Sequence, residues 1–223
     1  MKAKIENLDA ERPDVAVLQH AADLLKKGSV IVCPTDTGYA FAANALSVRA
    51  IGGVFNLKGR SFSNPIHVAV RDIGEAEKYA FVTEPARFLA GRYLPGALTL
   101  VMKKKDIVPS MLVAGMETIG IRIPDNRIML ELLKLVDFPL TTTSANVSGQ
   151  PGTYAVAEII GQIGDKIDSI PLLLDQGAIK SREVSTIVDV SSMPPQLIRQ
   201  GKLSWLDIRE ELKRFETKDE SVE

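Results

Sequence analysis

Hydrophobic residues along the chain recur at two spacings, which predict a mixture of helices and strands. Residues 14–27 carry apolar positions every three or four residues, as on one face of an amphipathic helix, between Pro13 and Gly28. Residues 30–33 form a short apolar run that predicts a buried strand, and we expect Pro34 to end it.

The same two spacings continue along the chain and predict an α/β fold. Helices are expected at residues 47–57, 73–80, 84–93, 126–136, 156–163 and 204–215. Strands are expected at residues 66–70, 98–102, 118–123, 140–143, 170–174, 185–190 and 196–199. Because helices and strands do not alternate strictly, we expect a sheet with both parallel and antiparallel neighbours. We place the main domain at residues 1–205 and a C-terminal helix with a charged tail at residues 206–223.

Composition and charge are those of an ordinary globular protein. The 223 residues include 27 Lys and Arg against 28 Asp and Glu, a net charge of -1 that gives no global attraction to nucleic acid but leaves room for a local basic patch. Cys33 is the only cysteine, which excludes an intrachain disulfide. The first residues lack the apolar core of a signal peptide, and no apolar run approaches the roughly 20 residues of a membrane helix. We therefore expect a cytoplasmic protein without membrane contact.

Four segments beside predicted strands concentrate small polar and cationic residues. The first, residues 34–39, places two threonines near a strand end, where open α/β folds often bind ligands; a plain turn is the alternative. The second joins Lys58, Gly59 and Arg60, so that two cations can converge on a phosphate while the backbone approaches it closely. A solvated surface turn is the alternative there.

The third and fourth segments lie in the second half of the chain. In residues 118–125, Thr118, Gly120 and Arg122 alternate with isoleucines and share one strand face. A buried guanidinium needs an anionic partner, which is either a ligand or an Asp or Glu of the chain itself. Residues 141–149 hold an unusual run of hydroxyl and amide groups that could cradle anionic oxygens or cap a helix.

The motifs that the sequence lacks narrow the chemistry. It has no His and Cys cluster with metal-ligand spacing, no GxSxG nucleophile elbow, no Walker-type phosphate loop and no GxGxxG fingerprint. His20 and His67 are the only histidines, and His20 lies within the first predicted helix. The remaining candidates for a site are Lys, Arg, Ser, Thr and Asn side chains. Such side chains bind anions and stabilise negative charge rather than performing acid–base or covalent catalysis.

Taken together, these segments resemble the YrdC family of threonylcarbamoyl-AMP synthases, in its short form. Between about residues 15 and 201, the matching segments are 34–45 (PTDTGYAFAANA), 58–65 (KGRSFSNP), 94–104, 119–126, 142–151, 184–190 and 197–201. The resemblance implies an open, twisted α/β sheet with parallel and antiparallel strands and flanking helices around a concave basic cavity. It also implies a nucleotidyltransferase that makes threonylcarbamoyl-AMP and pyrophosphate from L-threonine, bicarbonate and ATP for threonylcarbamoyladenosine (t6A) in tRNA.

The resemblance carries roles onto particular residues of this chain. Catalytic roles fall on Lys58, Arg60, Ser144 and Asn146. L-threonine contacts fall on Thr37, His67, Arg122, Thr142 and Ser185. ATP contacts fall on Arg60, Asn64, Thr118, Ser144, Gly152 and Arg199. No metal ligand in the chain is implied; Mg2+ would act with ATP, and the product would pass to a tRNA threonylcarbamoyl transferase.

The sequence departs from the family pattern in three places, and two alternatives to this function stay open. The family's first motif usually reads PTET followed by a valine and YGLG, whereas residues 34–41 read PTDTGYAF. Ala69 stands where many members have a histidine, and Gln200 stands where they have a proline. The alternatives are an RNA-binding module of the same fold, with weak contact to tRNA or other RNA, and a paralogue that does not activate threonine.

Overall fold

The computed structural model describes residues 3–219 as a succession of short strands and helices. The strands are β1 (Lys4–Asn7), β2 (Ile31–Thr35), β3 (Gly38–Ala42), β4 (Val68–Ala69), β5 (Leu98–Lys103), β6 (Thr118–Arg122), β7 (Leu140–Thr141), β8 (Thr143–Ser144), β9 (Leu172–Asp175), β10 (Thr186–Asp189) and β11 (Gln196–Arg199). The helices are α1 (Val15–Lys26), α2 (Val48–Lys58), α3 (Ile73–Ala76), α4 (Glu84–Tyr93), α5 (Arg127–Lys134), α6 (Val156–Ile163) and α7 (Trp205–Asp219), with a 3-10 helix at Gly164–Ser169. Within these residues, no helix is both long enough and apolar enough to span a bilayer.

Most of the predicted elements are present, and α4, α6 and β11 have the predicted bounds. The strand predicted at residues 66–70 is shortened to β4, and the helix predicted at residues 73–80 is shortened to α3. β1 and β3 were not predicted. β1 is mostly exposed and β3 is buried throughout, so neither strand shows the alternation of a half-buried strand.

β2 was expected to end at Pro34, but it continues to Thr35. Pro34 pairs with Tyr39 in the antiparallel ladder between β2 and β3, while the parallel neighbour β9 pairs with β2 at Val32. The proline therefore lies past the ladder with β9, which does not need the N–H group that proline lacks.

The strands form two sheets, one in the order β1-β9-β2-β3-β8 and the other in the order β11-β10-β5-β6-β4-β7. The first sheet contains the parallel pair β1–β9 and the antiparallel pair β2–β3. The second contains the parallel pair β10–β5 and the antiparallel pair β5–β6. The predicted α/β fold with mixed strand directions is therefore confirmed, with its strands divided between two sheets.

The strand predicted at residues 140–143 is two short strands that join the sheets. β7 belongs to the second sheet and β8 to the first, and Thr142 lies between them. The N–H of Thr141 donates to Ala43 O at 3.0 Å, beyond the end of β3, whereas the N–H of Thr142 donates to His67 O at 2.9 Å, beside β4. The chain thus crosses from one sheet to the other at Thr142, and strand ends from both sheets meet there.

The core lies on both faces of the first sheet. Ile31 and Cys33 of β2 pack with α1 and α5, whereas Val32 packs toward the second sheet, because successive side chains of a strand alternate. Cys33 is fully buried, and burial raises the pKa of its thiol. Ile208 of α7 is also fully buried and joins the core between the sheets, so the C-terminal helix packs on the main domain.

Thr186 of β10 holds the segment after β11 through its side chain. Its buried hydroxyl donates to Leu203 O at 2.7 Å and accepts the N–H groups of Gly201 and Leu203, each at 3.0 Å. Thr186→Val removes this hydroxyl and leaves the partly buried backbone groups of Gly201 and Leu203 without this partner. We therefore expect the free energy of unfolding to fall by about 2–3 kcal/mol.

Thr186→Ser is the matched control, since it keeps the hydroxyl and removes one methyl group. Its expected loss is about 1 kcal/mol. Urea denaturation followed by circular dichroism measures both variants. An equal loss in the two would contradict the hydrogen-bond explanation.

Candidate active site

A cavity of about 480 Å³ lies where the two sheets join. Its wall is built from the β2–β3 turn, the chain before β4, strands β5, β6, β10 and β11, and the crossing between β7 and β8. The predicted site residues on this wall are Thr37, Arg60, His67, Arg122, Thr142, Ser144, Asn146, Gly152, Ser185 and Arg199. The structure therefore brings together residues that lie far apart in the sequence.

Three predicted site residues, Lys58, Asn64 and Thr118, do not line this cavity. Asn64 is exposed on the loop that follows Arg60. Thr118 starts β6 on the same face as Arg122, but four residues along a strand separate their Cα atoms by about 13 Å. ATP would have to extend beyond this cavity to touch either Asn64 or Thr118.

Arg122 of β6 is 5 % exposed and enters the cavity from the second sheet. Its Nη2 donates to Asp36 Oδ1 at 2.6 Å and its Nη1 donates to Thr37 Oγ1 at 2.8 Å. Of the two kinds of partner that the sequence left open, a carboxylate of the chain is therefore present. Burial lowers the pKa of Arg122, and the Asp36 carboxylate opposes that shift. Nε is buried without a partner, so the guanidinium keeps donor capacity.

The turn between β2 and β3 places Asp36 and Thr37 beside this arginine. Thr35 Oγ1 donates to Gly38 O at 2.7 Å and closes the turn. Gly38 has φ 138°, a value that favours glycine, and a Cβ there would lie 3.1 Å from Thr153 O. The segment does form a turn, which was the alternative to a ligand-binding role, but it also supplies Asp36 and Thr37 as partners for Arg122 of the cavity.

Arg60 and Arg199 reach the cavity with neutral oxygens as partners. Arg60 donates to Pro65 O at 3.0 Å and to Thr143 Oγ1 at 3.4 Å. Arg199, on the exposed edge strand β11, donates from Nη2 to Ser185 O at 2.8 Å and to Ser185 Oγ at 3.2 Å. Because these acceptors carry no charge, both guanidinium groups keep a net positive charge toward the cavity.

Lys58, to which the resemblance gives a catalytic role, is 3 % exposed and lies behind the cavity wall. Its Nζ donates to Ser144 O at 2.6 Å, to Asn146 Oδ1 at 2.6 Å and to Asn146 O at 3.1 Å. These acceptors match the three N–H donors of an ammonium group. Burial, followed by the charge of Arg60, lowers the pKa of Lys58 to about 7. Lys58 therefore supports the loop that forms the wall.

The loop after β8 is tied together by the side chain of Asn146. Ser144 Oγ donates to Asn146 Oδ1 at 2.6 Å, and Asn146 Nδ2 donates to Gln150 O at 2.5 Å and to Pro151 O at 3.3 Å. The capping role that the sequence left open is not found for α6, which begins after Ala155 without a side-chain cap. The polar run instead shapes the loop around the cavity.

His67 lies within electrostatic reach of the three cavity arginines and packs on Gly120. A Cβ at residue 120 would approach His67 Cδ2 to 2.5 Å, so the absence of a side chain there lets the imidazole lie against β6. Burial, and then Arg199, Arg122 and Arg60, lower the pKa of His67 to about 4. The imidazole is therefore neutral near pH 7.

Sequence reasoning missed Thr99 and Tyr154 on the wall. Thr99 lies within the apolar strand β5, and its Oγ1 is 2.9 Å from Ser185 Oγ, which it orients. A hydroxyl inside a fully buried strand was the signal that could have identified it. Tyr154 follows the polar run, and the Arg182 guanidinium lies 5.2 Å from its ring centroid; nothing in the local sequence pointed to the cavity.

The fold and the cavity define an α/β protein in which two mixed sheets enclose a site lined by arginines and hydroxyl groups. The family model Sua5_yciO_yrdC, described as Telomere recombination, matches residues 23–201. The chain belongs to the Sua5/YciO/YrdC family.

Two sequence relatives and one solved structure show the range of similarity. A protein of Methanocaldococcus jannaschii named putative threonylcarbamoyl-AMP synthase is 39 % identical over 185 residues, which cover 83 % of this chain and 86 % of that protein. The threonylcarbamoyl-AMP synthase of Pyrococcus abyssi is 34 % identical over 194 residues, 86 % of this chain and 56 % of that protein. The crystal structure of P. abyssi Sua5 complexed with L-threonine has a TM-score of 0.88 at 31 % identity and matches 94 % of this chain and 61 % of that chain. The chain thus spans little more than half the length of the Pyrococcus relative.

The Lys58 ammonium predicts a test of loop order. Lys58→Met removes three donors to residues 144–146, so we expect amide hydrogen exchange at Asn146, Ser148 and Gln150 to accelerate by about tenfold or more. The matched control is Lys166→Met, because the exposed Lys166 also donates to a backbone carbonyl, at 3.1 Å. Unchanged exchange in Lys58→Met would show that the loop does not depend on this side chain.

The lowered pKa of His67 predicts how stability depends on pH. Above the ordinary histidine pKa of about 6.5 both folded and unfolded states are neutral, so this group has no effect. Between pH 6.5 and about 4 the unfolded state binds the proton first, and the free energy of unfolding falls as pH falls. His67→Gln should reduce that fall by on the order of 2 kcal/mol between pH 6.5 and 4.5.

His20→Gln is the control for this experiment, because the other histidine of the chain is exposed on α1. Urea denaturation at several pH values measures wild type and both variants. If the pH dependence of His67→Gln matches that of wild type, the imidazole of His67 is not its source.

Proposed function

We propose that this chain is an L-threonylcarbamoyladenylate synthase, a nucleotidyltransferase that converts L-threonine, bicarbonate and ATP into threonylcarbamoyl-AMP and pyrophosphate. The observation that carries the proposal is a single cavity that holds Arg60, Arg199 and the Asp36-paired Arg122. Family membership and the names of the relatives support the same reaction. The product serves t6A formation in tRNA, in the cytoplasm, and passes to a tRNA threonylcarbamoyl transferase.

Charge repulsion is the main obstacle to this reaction. The threonine amine takes up bicarbonate-derived CO2 to form a carbamate, whose oxygen attacks the α-phosphorus of ATP and expels pyrophosphate. Carbamate and triphosphate are both anions, so fixed cationic donors between them stabilise the transition state. Arg60 and Arg199 suit this role because their partners in the chain are neutral oxygens.

The proposed threonine site is the part of the cavity around Arg122. Arg122 would pair with the substrate carboxylate, while the hydroxyls of Thr37, Thr142 and Ser185 orient the substrate hydroxyl or the carbamate. The neutral imidazole of His67 can share a hydrogen bond without adding charge. The L-threonine in the Pyrococcus structure supports an amino-acid site in this fold.

The proposed ATP contacts are made by Arg60, Ser144, Gly152 and Arg199. Ser144 lies on the loop that Lys58 and Asn146 hold in place, so these two residues contribute by positioning. Such a site accelerates the reaction by holding its reactants in contact and by stabilising charge.

Mg2+ is proposed as a companion of ATP. In the part of the chain that the structure describes, no group of three or more His, Cys, Asp and Glu side chains could hold a metal ion. The ion would therefore enter on the nucleotide phosphates, and no residue of the chain is assigned to it.

A pyrophosphate-release assay on the purified chain tests the proposal. We expect release from ATP to require both L-threonine and bicarbonate, and a screen of other amino acids to show a preference for threonine. Turnover with a different amino acid would favour the paralogue. No turnover, together with tight and steeply salt-dependent tRNA binding, would favour an RNA-binding module.

Arg60→Ala is expected to lower turnover by on the order of a hundredfold, because it removes a charge-stabilising donor from the cavity. Arg49→Ala is the matched control, since Arg49 is exposed on α2, the helix that ends just before Arg60. Circular dichroism verifies that both variants keep the fold. Near-normal turnover in Arg60→Ala would exclude Arg60 from the mechanism.

A further inference from the structure

The three arginines of the cavity differ in the charge of their partners. Arg122 and Asp36 form an ion pair at 2.6 Å whose side chains are 6 % and 13 % exposed. Arg60 and Arg199 instead donate to carbonyl and hydroxyl oxygens. Among the described residues on the wall itself there is no Asp or Glu. Asp36, which pairs with Arg122 but is not on the wall, is therefore the carboxylate that compensates charge in this part of the cavity.

This difference distinguishes two groups of charges on the wall, which we call the Arg122 region and the Arg60 and Arg199 region. Arg199 lies close enough to Arg122 for its charge to lower the pKa of Arg122. The region of Arg122 has a net charge near zero, because Asp36 cancels the guanidinium at short range. The region of Arg60 and Arg199 keeps two positive charges. A triphosphate is a multivalent anion that the second region attracts more strongly, whereas a free α-amino acid is a zwitterion with no net charge.

Arg122 can still bind a carboxylate although its charge is compensated. A guanidinium has five N–H donors, and Asp36 and Thr37 each accept from one of its Nη atoms. The unpartnered Nε shows that donor capacity is left over. Hydrogen-bond donors without net charge suit the carboxylate of a zwitterion better than a highly charged phosphate group.

We propose that Asp36 is a specificity-determining residue that makes the Arg122 region accept an amino acid and reject phosphate groups. The triphosphate is thereby confined to the Arg60 and Arg199 region, and the two substrates do not compete for one arginine. This inference rests on the proposed function, since it assigns the amino-acid region of the same site. Asp36 acts through Arg122 and touches no reacting atom.

Competition between L-threonine and inorganic pyrophosphate tests the inference without turnover. Isothermal titration calorimetry on the full chain measures the apparent Kd for threonine with and without saturating pyrophosphate. In wild type we expect less than a threefold change. In Asp36→Asn we expect pyrophosphate to occupy Arg122 and to raise the apparent Kd for threonine by about tenfold, the discrimination that one uncompensated charge typically confers.

Two control variants distinguish the loss of the Asp36 carboxylate from a change in side-chain size and from a change in the net charge of the protein. Asp36→Glu keeps the carboxylate and should retain the wild-type lack of competition. Glu183→Gln makes the same change in net charge at an exposed residue next to Val184 of the wall, and should also behave like wild type. If Asp36→Asn does not fold, Asp36→Ser replaces it, because serine is common in turns.

The outcomes distinguish this inference from a purely structural ion pair and from the proposed function. A lower melting temperature in Asp36→Asn without new competition would overturn the inference, as would strong competition in wild type. Competition in Asp36→Asn, together with its absence in wild type and in both control variants, supports the inference. Threonine binding and competition as expected, but with no threonine-dependent pyrophosphate release by wild type, would overturn the proposed reaction and leave the charge division standing.

Discussion

Backbone hydrogen bonds on either side of Thr142 hold the two sheets in one arrangement and thereby create the cavity. The N–H groups of Thr141 and Ala145 bond to the first sheet, whereas that of Thr142 bonds to His67 O beside the second. A shift of this segment along either sheet would break these backbone hydrogen bonds, and unpaired buried backbone groups destabilise the fold. The wall residues of both sheets therefore keep a fixed separation around a space that neither sheet could enclose alone.

Burial of cationic side chains is the second constraint, and the chain satisfies it in two ways. The ammonium group of Lys58 donates to three neutral oxygens of Ser144 and Asn146, and the loop after β8 is arranged around it. The charge of Arg122 is compensated by the carboxylate of Asp36, although its Nε has no partner. A buried charge without partners would be neutralised or expelled, so each arrangement fixes a segment of the wall. On the described wall of the cavity, the cations without a carboxylate partner are Arg60 and Arg199, whose partners are uncharged oxygens.

Local patterns predicted much of the fold, and they failed where the residue types are poor indicators of a strand. α4 has its predicted bounds because Thr83 caps its N-terminus and its apolar positions follow the helical repeat. β3 was missed because its sequence, GYAFA, contains a glycine and two alanines, which are depleted in strands. Pro34 was predicted to end a strand, but whether a strand needs an N–H group at that position depends on which strand lies beside it, and only the tertiary structure shows this.

The chemical character of the site follows from the amino-acid sequence, which concentrates Arg, Thr, Ser and Asn in segments beside strands and contains no nucleophile motif or metal-ligand spacing. Which of those groups face the cavity depends on how the elements pack. Lys58 and Arg60 are two positions apart, yet one ammonium lies behind the wall and the other cation lies on it. The reason is geometric: partners such as Asp36 for Arg122 come from other elements, and no local spacing encodes how those elements meet.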